Sequence, residues 1–108
     1  KGGKIFFAKK ENEIIATVAL MPTENKLTYE LTKMAVKPNF RNKGVGKKLL
    51  IKCIEFSNSN FSKSIILYSN KKLTNAIHLY KSFGFKEIKM EIKSPYSRAN
   101  IKMMKKLN

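Results

Sequence analysis

Arg41-Asn42-Lys43-Gly44-Val45-Gly46-Lys47-Lys48-Leu49-Leu50, RNKGVGKKLL, sets two glycines one residue apart among cations and then turns into an apolar-patterned segment. Glycines at the mouth of helix-like sequence leave backbone N–H groups free for an anion, and the helix N-terminus adds partial positive charge. Three kinds of phosphate site share that look. A Walker loop fails, because counting back from Gly46 and Lys47 puts Arg41 at the first glycine position and Lys48 at the hydroxyl position. A dinucleotide-binding turn fails too. Leu49 stands where its third glycine belongs, and the preceding strand comes from a meander rather than opening a βαβ unit. What survives is R-x-x-G-x-G after a strand and a short loop, opening a helix.

Outward from that loop, the apolar pattern divides the chain into eight elements. Residues 5–8 and 14–20 are β-rich runs separated by a polar segment, a hairpin signature. Residues 27–36, LTYELTKMAV, read as a long strand stopped by Pro38. From Gly44 the spacing of Val45, Leu49, Leu50, Cys53, Ile54 and Phe56 is helical and runs to the polar cluster at 57–62. SIILY, residues 64–68, is a short continuous apolar run of the kind covered on both faces. A second short helix follows in LTNAIHLYKSFGF, starting near Thr74 or Asn75 and closed by Gly84 where a left-handed cap belongs. Residues 85–92 and 99–107 alternate like two final strands. The order β-β-β-α-β-α-β-β predicts an α+β domain with a mixed, mostly antiparallel sheet flanked by helices.

Composition narrows the function classes. At 108 residues and 12.4 kDa, with 43% hydrophobic residues, residues 1–108 make a single small domain with one core. No apolar run reaches the length of a membrane span and no signal-peptide pattern stands at the start, so no membrane is expected and a cytoplasmic location is the default. Cys53 and His78 are the only residues of their types, which excludes an intramolecular disulfide and a Cys/His metal site. Cys53 lies in an apolar helical pattern and reads as a buried small side chain rather than a reactive thiol. The net charge of +16 suggests nucleic acid at first sight. Yet only Arg41 and Arg98 are arginine, the lysines are spread over the whole chain, and no aromatic stacking motif appears. A solvated lysine coat that steers anions is the better reading.

With the order of elements in place, the chain resembles the GNAT superfamily of acyl-CoA-dependent N-acetyltransferases. Its pyrophosphate signature, Arg/Gln-x-x-Gly-x-Gly/Ala, corresponds to Arg41, Asn42, Lys43, Gly44, Val45 and Gly46. ELTKMAVKPNF before it, SIILYSN and NAIHLYKSFGFKEI after it, and the ending PYSRANIKM stand in the family's order at ordinary spacing. The resemblance also implies a first strand and two helices ahead of Lys4, roughly 40 residues by average element lengths, where this chain begins KGG. Those helices usually form part of the acceptor side.

What the resemblance implies for the site is specific. Acetyl-CoA is the expected co-substrate and no metal is implied. The coenzyme pyrophosphate would rest on the loop from Arg41 through Lys47, and the pantetheine amides would pair with the backbone of Met34, Ala35 and Val36 like an added strand. Glu30 matches a general-base glutamate, with a strand-surface ion pair as its plain alternative. Tyr80 matches the tyrosine that protonates the leaving thiolate, although a helical tyrosine between Ile77 and Phe83 is also ordinary core. Asn75 matches an asparagine that hydrogen-bonds the coenzyme or an ordered water, with an N-cap as alternative. His78, two positions from Tyr80, is expected to face solvent. The acceptor would be a small-molecule or peptide amine, weakly not a polycation, and a homodimer is the family default. Against this enzyme stand a non-catalytic CoA-binding remnant and a lysine-rich nucleic-acid-binding module, which free-thiol release, CoA affinity and salt-sensitive binding would separate.

Overall fold

Glu11 and Asn12 turn the chain with φ of 50° and 73°, the pair of left-handed residues that a two-residue type I′ hairpin requires. They join β1 (Lys4–Lys10) to β2 (Glu13–Pro22), and β3 (Thr28–Val36) adds antiparallel to β2. A single 3-10 turn, Pro38–Phe40, leads to α1 (Val45–Ser59), which returns the chain to β4 (Ser64–Ser69). Then α2 (Thr74–Ser82), β5 (Lys86–Ile88) and β6 (Ile101–Lys106) complete the order read from sequence. The computed structural model describes residues 2–107. Its six strands form one sheet in the order β1-β2-β3-β4-β6-β5. Among them only β3 and β4 are parallel neighbours; every other adjacent pair is antiparallel.

Both crossovers, β3 to β4 through α1 and β4 to β5 through α2, step in the same direction across the sheet. Right-handed connection then places both helices on one face. The core shows it: Val18, Leu20, Leu31, Ile65, Leu67 and Met103 point to that face and are almost wholly buried under Leu49, Leu50 and Cys53 of α1. Phe56 adds aromatic contacts, edge-on to Phe6 at 5.9 Å and tilted against Tyr29 at 5.8 Å. Burying one such leucine stabilises by about 1.5–3 kcal/mol, so this layer carries most of the fold. Ser57, also fully buried on α1, is the one buried side-chain hydroxyl without a partner among the described residues.

The helix boundaries follow local chemistry. Gly44 caps α1 at φ 84°, and Gly84 sits just past α2 at φ 92°, a left-handed conformation glycine takes without the steric cost of a Cβ. α2 starts at Thr74, but its N-cap is Leu73 and no side chain caps it, so Asn75 is not the N-cap. The strand read over residues 85–92 pairs only from Lys86 to Ile88, where Ile88 meets Lys102 near the start of β6. With β6 exhausted, residues 89–100 leave the sheet as a loop.

Two irregularities shape what lies at the centre. The β2–β3 register shifts between Thr17 and Ala19, which inserts one extra residue in β3 around Lys33 and Met34, and Lys33 takes φ 57° there. The β3–β4 ladder is short: it runs from Thr28 opposite Ser64 to Leu31 opposite Leu67 and stops. From Thr32 onward β3 diverges from β4, opening a wedge in the sheet.

Candidate functional site at the wedge between β3 and β4

The loop that follows β3 is built to hold N–H groups in place. Lys37 N–H donates to the Ile15 carbonyl on the β2 side, so the Val36 carbonyl of the same trans peptide points to the wedge. Arg41 Nε donates to that carbonyl at 2.9 Å, tying the loop to the end of β3. The arginine expected on the pyrophosphate thus also braces the loop backbone. Asn42 and Gly44 are left-handed at φ 62° and 84°, alternating with Lys43 and Val45 in the pattern of an anion-binding nest. The first intrahelical bond of α1 is Lys48 N–H to the Gly44 carbonyl at 3.0 Å. The N–H groups of Val45, Gly46 and Lys47 therefore have no helical partner, no side chain caps them, and no acidic residue occupies the first turn.

Gly44 and Gly46 are glycine for different reasons. Gly44 needs its positive φ. A Cβ at Gly46 would meet only Leu79 and Val36, each at 3.8 Å, which is ordinary contact. Nothing in the protein's own packing forbids a side chain there; its absence leaves the N–H groups open to close approach from outside. The same contacts bring α2 and the end of β3 to the mouth of the loop.

Tyr80 projects from α2 into the core, 6% exposed, with its ring 5.8 Å from Phe85 and against Cys53. Burial raises the phenol above its ordinary value, with Cys53 adding to the rise, so it stays a protonated donor through the neutral range. Burial pushes the Cys53 thiol up to about 12, which makes it an inert core group as expected. Asn75 lies exposed on the first turn of α2, and His78 faces solvent. Met34 and Val36 lean toward the helices, Ala35 away from them.

Glu30 sits on the opposite face of the sheet, since its strand neighbours Tyr29 and Leu31 both point to the helices. There its Oε2 accepts from Tyr96 Oη at 2.6 Å, across 66 positions of sequence. Tyr96 packs on Tyr68, ring centroids 5.4 Å apart, and Tyr68 Oη donates to Glu91 at 2.6 Å while Lys102 Nζ reaches the same carboxylate at 3.3 Å. The Glu30 bond holds the Tyr96 phenol above its ordinary value, and the Tyr68 bond holds the Glu91 carboxyl below its own. Tyr68, Ser69, Asn70, Tyr96, Arg98 and Ala99 line a shallow cavity of about 190 Å³ at the end of β4. Of these, PYSRAN was visible in the sequence only as part of a final hairpin; nothing local marks Tyr96 as a partner of Glu30. Glu30 and Tyr80 thus lie on opposite faces, and the wedge is where the two faces meet. Among the described residues no group of His, Cys, Asp and Glu could hold a metal ion, and no helix is long and apolar enough to cross a membrane.

The model of the acetyltransferase (GNAT) domain family matches residues 1–87. The chain belongs to the GNAT family. A GNAT acetyltransferase structure from Staphylococcus aureus Mu50 is 30% identical and superimposes with a TM-score of 0.87, covering 99% of this chain and 69% of that one. A GNAT acetyltransferase from Elizabethkingia anophelis, solved with acetyl-CoA bound, is 25% identical with a TM-score of 0.81 over 97% of this chain and 76% of that one. Among curated proteins, the N-acetylaspartate synthetases of Xenopus tropicalis and Homo sapiens are 34% and 30% identical over 87 residues, 81% of this chain. That match spans 32% and 29% of their own lengths, so this GNAT chain corresponds to about a third of those relatives. The six-stranded mixed sheet with two helices on one face is the GNAT fold read from the sequence.

Proposed function

We propose that this chain transfers an acetyl group from acetyl-CoA to a primary amine on a small molecule by direct attack. The observation that carries the reading is the nest of free N–H groups at residues 44–47, set beside a β3 edge that has lost its β4 partner. One feature takes a pyrophosphate, the other a chain of amides. Membership of an acetyltransferase family, a relative solved with acetyl-CoA, and relatives named for making an acetylated small amino acid support the same reaction.

The coenzyme supplies an activated thioester. The chain's own groups do the rest. Gly44, Val45, Gly46 and Lys47 take the phosphates on their N–H groups, with Arg41, Asn42 and Lys43 shaping the loop and Arg41 and Lys47 adding charge. Met34, Ala35 and Val36 offer backbone along the wedge, and an N–H beside the Lys33–Met34 bulge would receive charge developing on the carbonyl oxygen. Glu30 takes the proton lost by the attacking amine, directly or through water, from the face that holds Tyr96. Tyr80 donates its phenolic proton to the departing sulfur, and its raised pKa keeps that proton in place until the C–S bond breaks. Asn75, exposed at the first turn of α2, is free to bond the coenzyme or an ordered water.

Titration calorimetry with acetyl-CoA tests the cradle. The parent chain binds and Gly46→Glu, which puts a carboxylate among the N–H groups, does not; binding by both would refute it. Free-thiol release then tests the chemistry: Glu30→Gln and Tyr80→Phe each lower kcat by about 100-fold or more while leaving the affinity for acetyl-CoA unchanged.

A further inference from the structure

We propose that the cavity at the end of β4 is an acceptor subsite selecting a small amine that carries a carboxylate, and that Arg98 binds the carboxylate. The inference rests on the acetyltransferase reading and extends it to the class of acceptor. Position is the first support. Tyr68 and Ser69, which line the cavity, are the residues of β4 just past the Leu31–Leu67 rung where the wedge opens. Tyr96, also in the lining, bonds Glu30 at 2.6 Å. A ligand seated there is one side chain away from the proposed base.

Charge is the second. Arg98 is the single charged residue of the lining. The nearby carboxylates are already engaged, Glu30 by Tyr96 and Glu91 by Tyr68 and Lys102. The Arg98 guanidinium makes no hydrogen bond or ion pair among the described residues, whereas the backbone beneath it is fixed. Asn70 Nδ2 donates to the Arg98 carbonyl at 2.7 Å, Asn100 N–H to the Ser69 carbonyl at 2.9 Å, and Lys71 N–H to Asn100 Oδ1 at 2.8 Å. Three bonds thus clamp the loop to the end of β4, with Arg98 in the cavity lining and its side chain unpartnered among the described residues.

Residue choice is the third. This chain uses lysine for nearly all its positive charge, and arginine only at 41 and 98. Arg41 has a directional task on a carbonyl. Arg98 offers the planar fork that grips a carboxylate with two parallel bonds, which an ammonium does not. The opening has room for a small molecule: about 190 Å³ is the liquid share of about six waters, enough for an amino acid.

Thiol release from acetyl-CoA with aspartate, alanine, alaninamide and putrescine, at equal ionic strength, tests the proposal. The amino acids are expected to exceed alaninamide and putrescine by about tenfold or more in kcat/KM. Arg98→Gln should raise KM for the amino acids by a similar factor with kcat nearly unchanged, and leave alaninamide turnover and acetyl-CoA affinity where they were. Arg98→Lys should recover only part of the loss. Alaninamide or putrescine acetylated as well as alanine, or Arg98→Gln without effect on KM, overturns the carboxylate assignment while the acetyltransferase reading stands. Binding of acetyl-CoA with no amine acetylated overturns that reading and the acceptor assignment with it.

Discussion

The two faces of this sheet are made from the same strands and behave as different materials. On the helix-covered face Val18, Leu20, Ile65 and Met103 are fully buried. On the other face Ile5 is 63% exposed, Phe7 51% and Met21 44%, and beside this apolar end lies the polar set of Glu30, Tyr96, Tyr68, Glu91 and Lys102. Leu31 and Glu30 are adjacent in sequence and serve the two faces in turn. One face supplies rigidity, and the other carries polar side chains bonded to one another near the surface. The wedge, where β3 leaves β4, is where the two faces meet.

The sharpest way to break the contrast is truncation on each face. Leu50→Ala removes a wholly buried side chain and is expected to destabilise by about 2–5 kcal/mol, whereas Phe7→Ala, half exposed, should cost less than about 1 kcal/mol. Denaturant unfolding of the two variants checks it; equal losses would show that the open face is as tightly packed as the covered one. Next in size is the glycine pair. Gly44→Ala forces a Cβ into a left-handed conformation and should cost about 1–2 kcal/mol, and Gly46→Ala should leave stability unchanged. Thermal unfolding of both separates a glycine required by the backbone from one that the packing does not require.

A smaller effect comes from the buried thiol. Cys53 has a folded pKa of about 12 against an ordinary value of 9.0. Because the folded value is the raised one, its contribution to stability is complete below pH 9 and is lost as pH climbs toward 12. Between pH 8 and pH 10 the parent should lose about 1 kcal/mol more than Cys53→Ala, by denaturant unfolding at each pH. Identical slopes would mean that the thiol ionises within the fold.

Much of this arrangement is legible in the chain. The helical spacing after Gly44, the hairpin, the left-handed Gly84 and the RNKGVG loop are local patterns, and local patterns survive folding. Strand pairing is not local. Residues 85–92 alternate as a strand does, yet only three of them find a partner, because β6 begins at Ile101 and the ladder ends at Lys102. The bulge is hidden for another reason: Lys33 at φ 57° carries no glycine or asparagine to announce it. Arg41 bracing Val36 and Tyr96 reaching Glu30 depend on where β3 ends and where a loop lands. Residue type alone names a guanidinium or a phenol; its partner is settled by the path of the backbone.

The short ladder between β3 and β4 has a mechanical side. Four rungs join the two halves of the sheet, and the arms beyond them diverge from the Leu31–Leu67 vertex. Val36 stands five residues out, roughly 16 Å of extended chain. A turn of about 4° at the vertex therefore carries the end of β3 by about 1 Å, a displacement large enough to cost a reaction two orders of magnitude. A small angle at this vertex thus becomes a large offset at the end of β3, and two buried leucines stand where that angle is set.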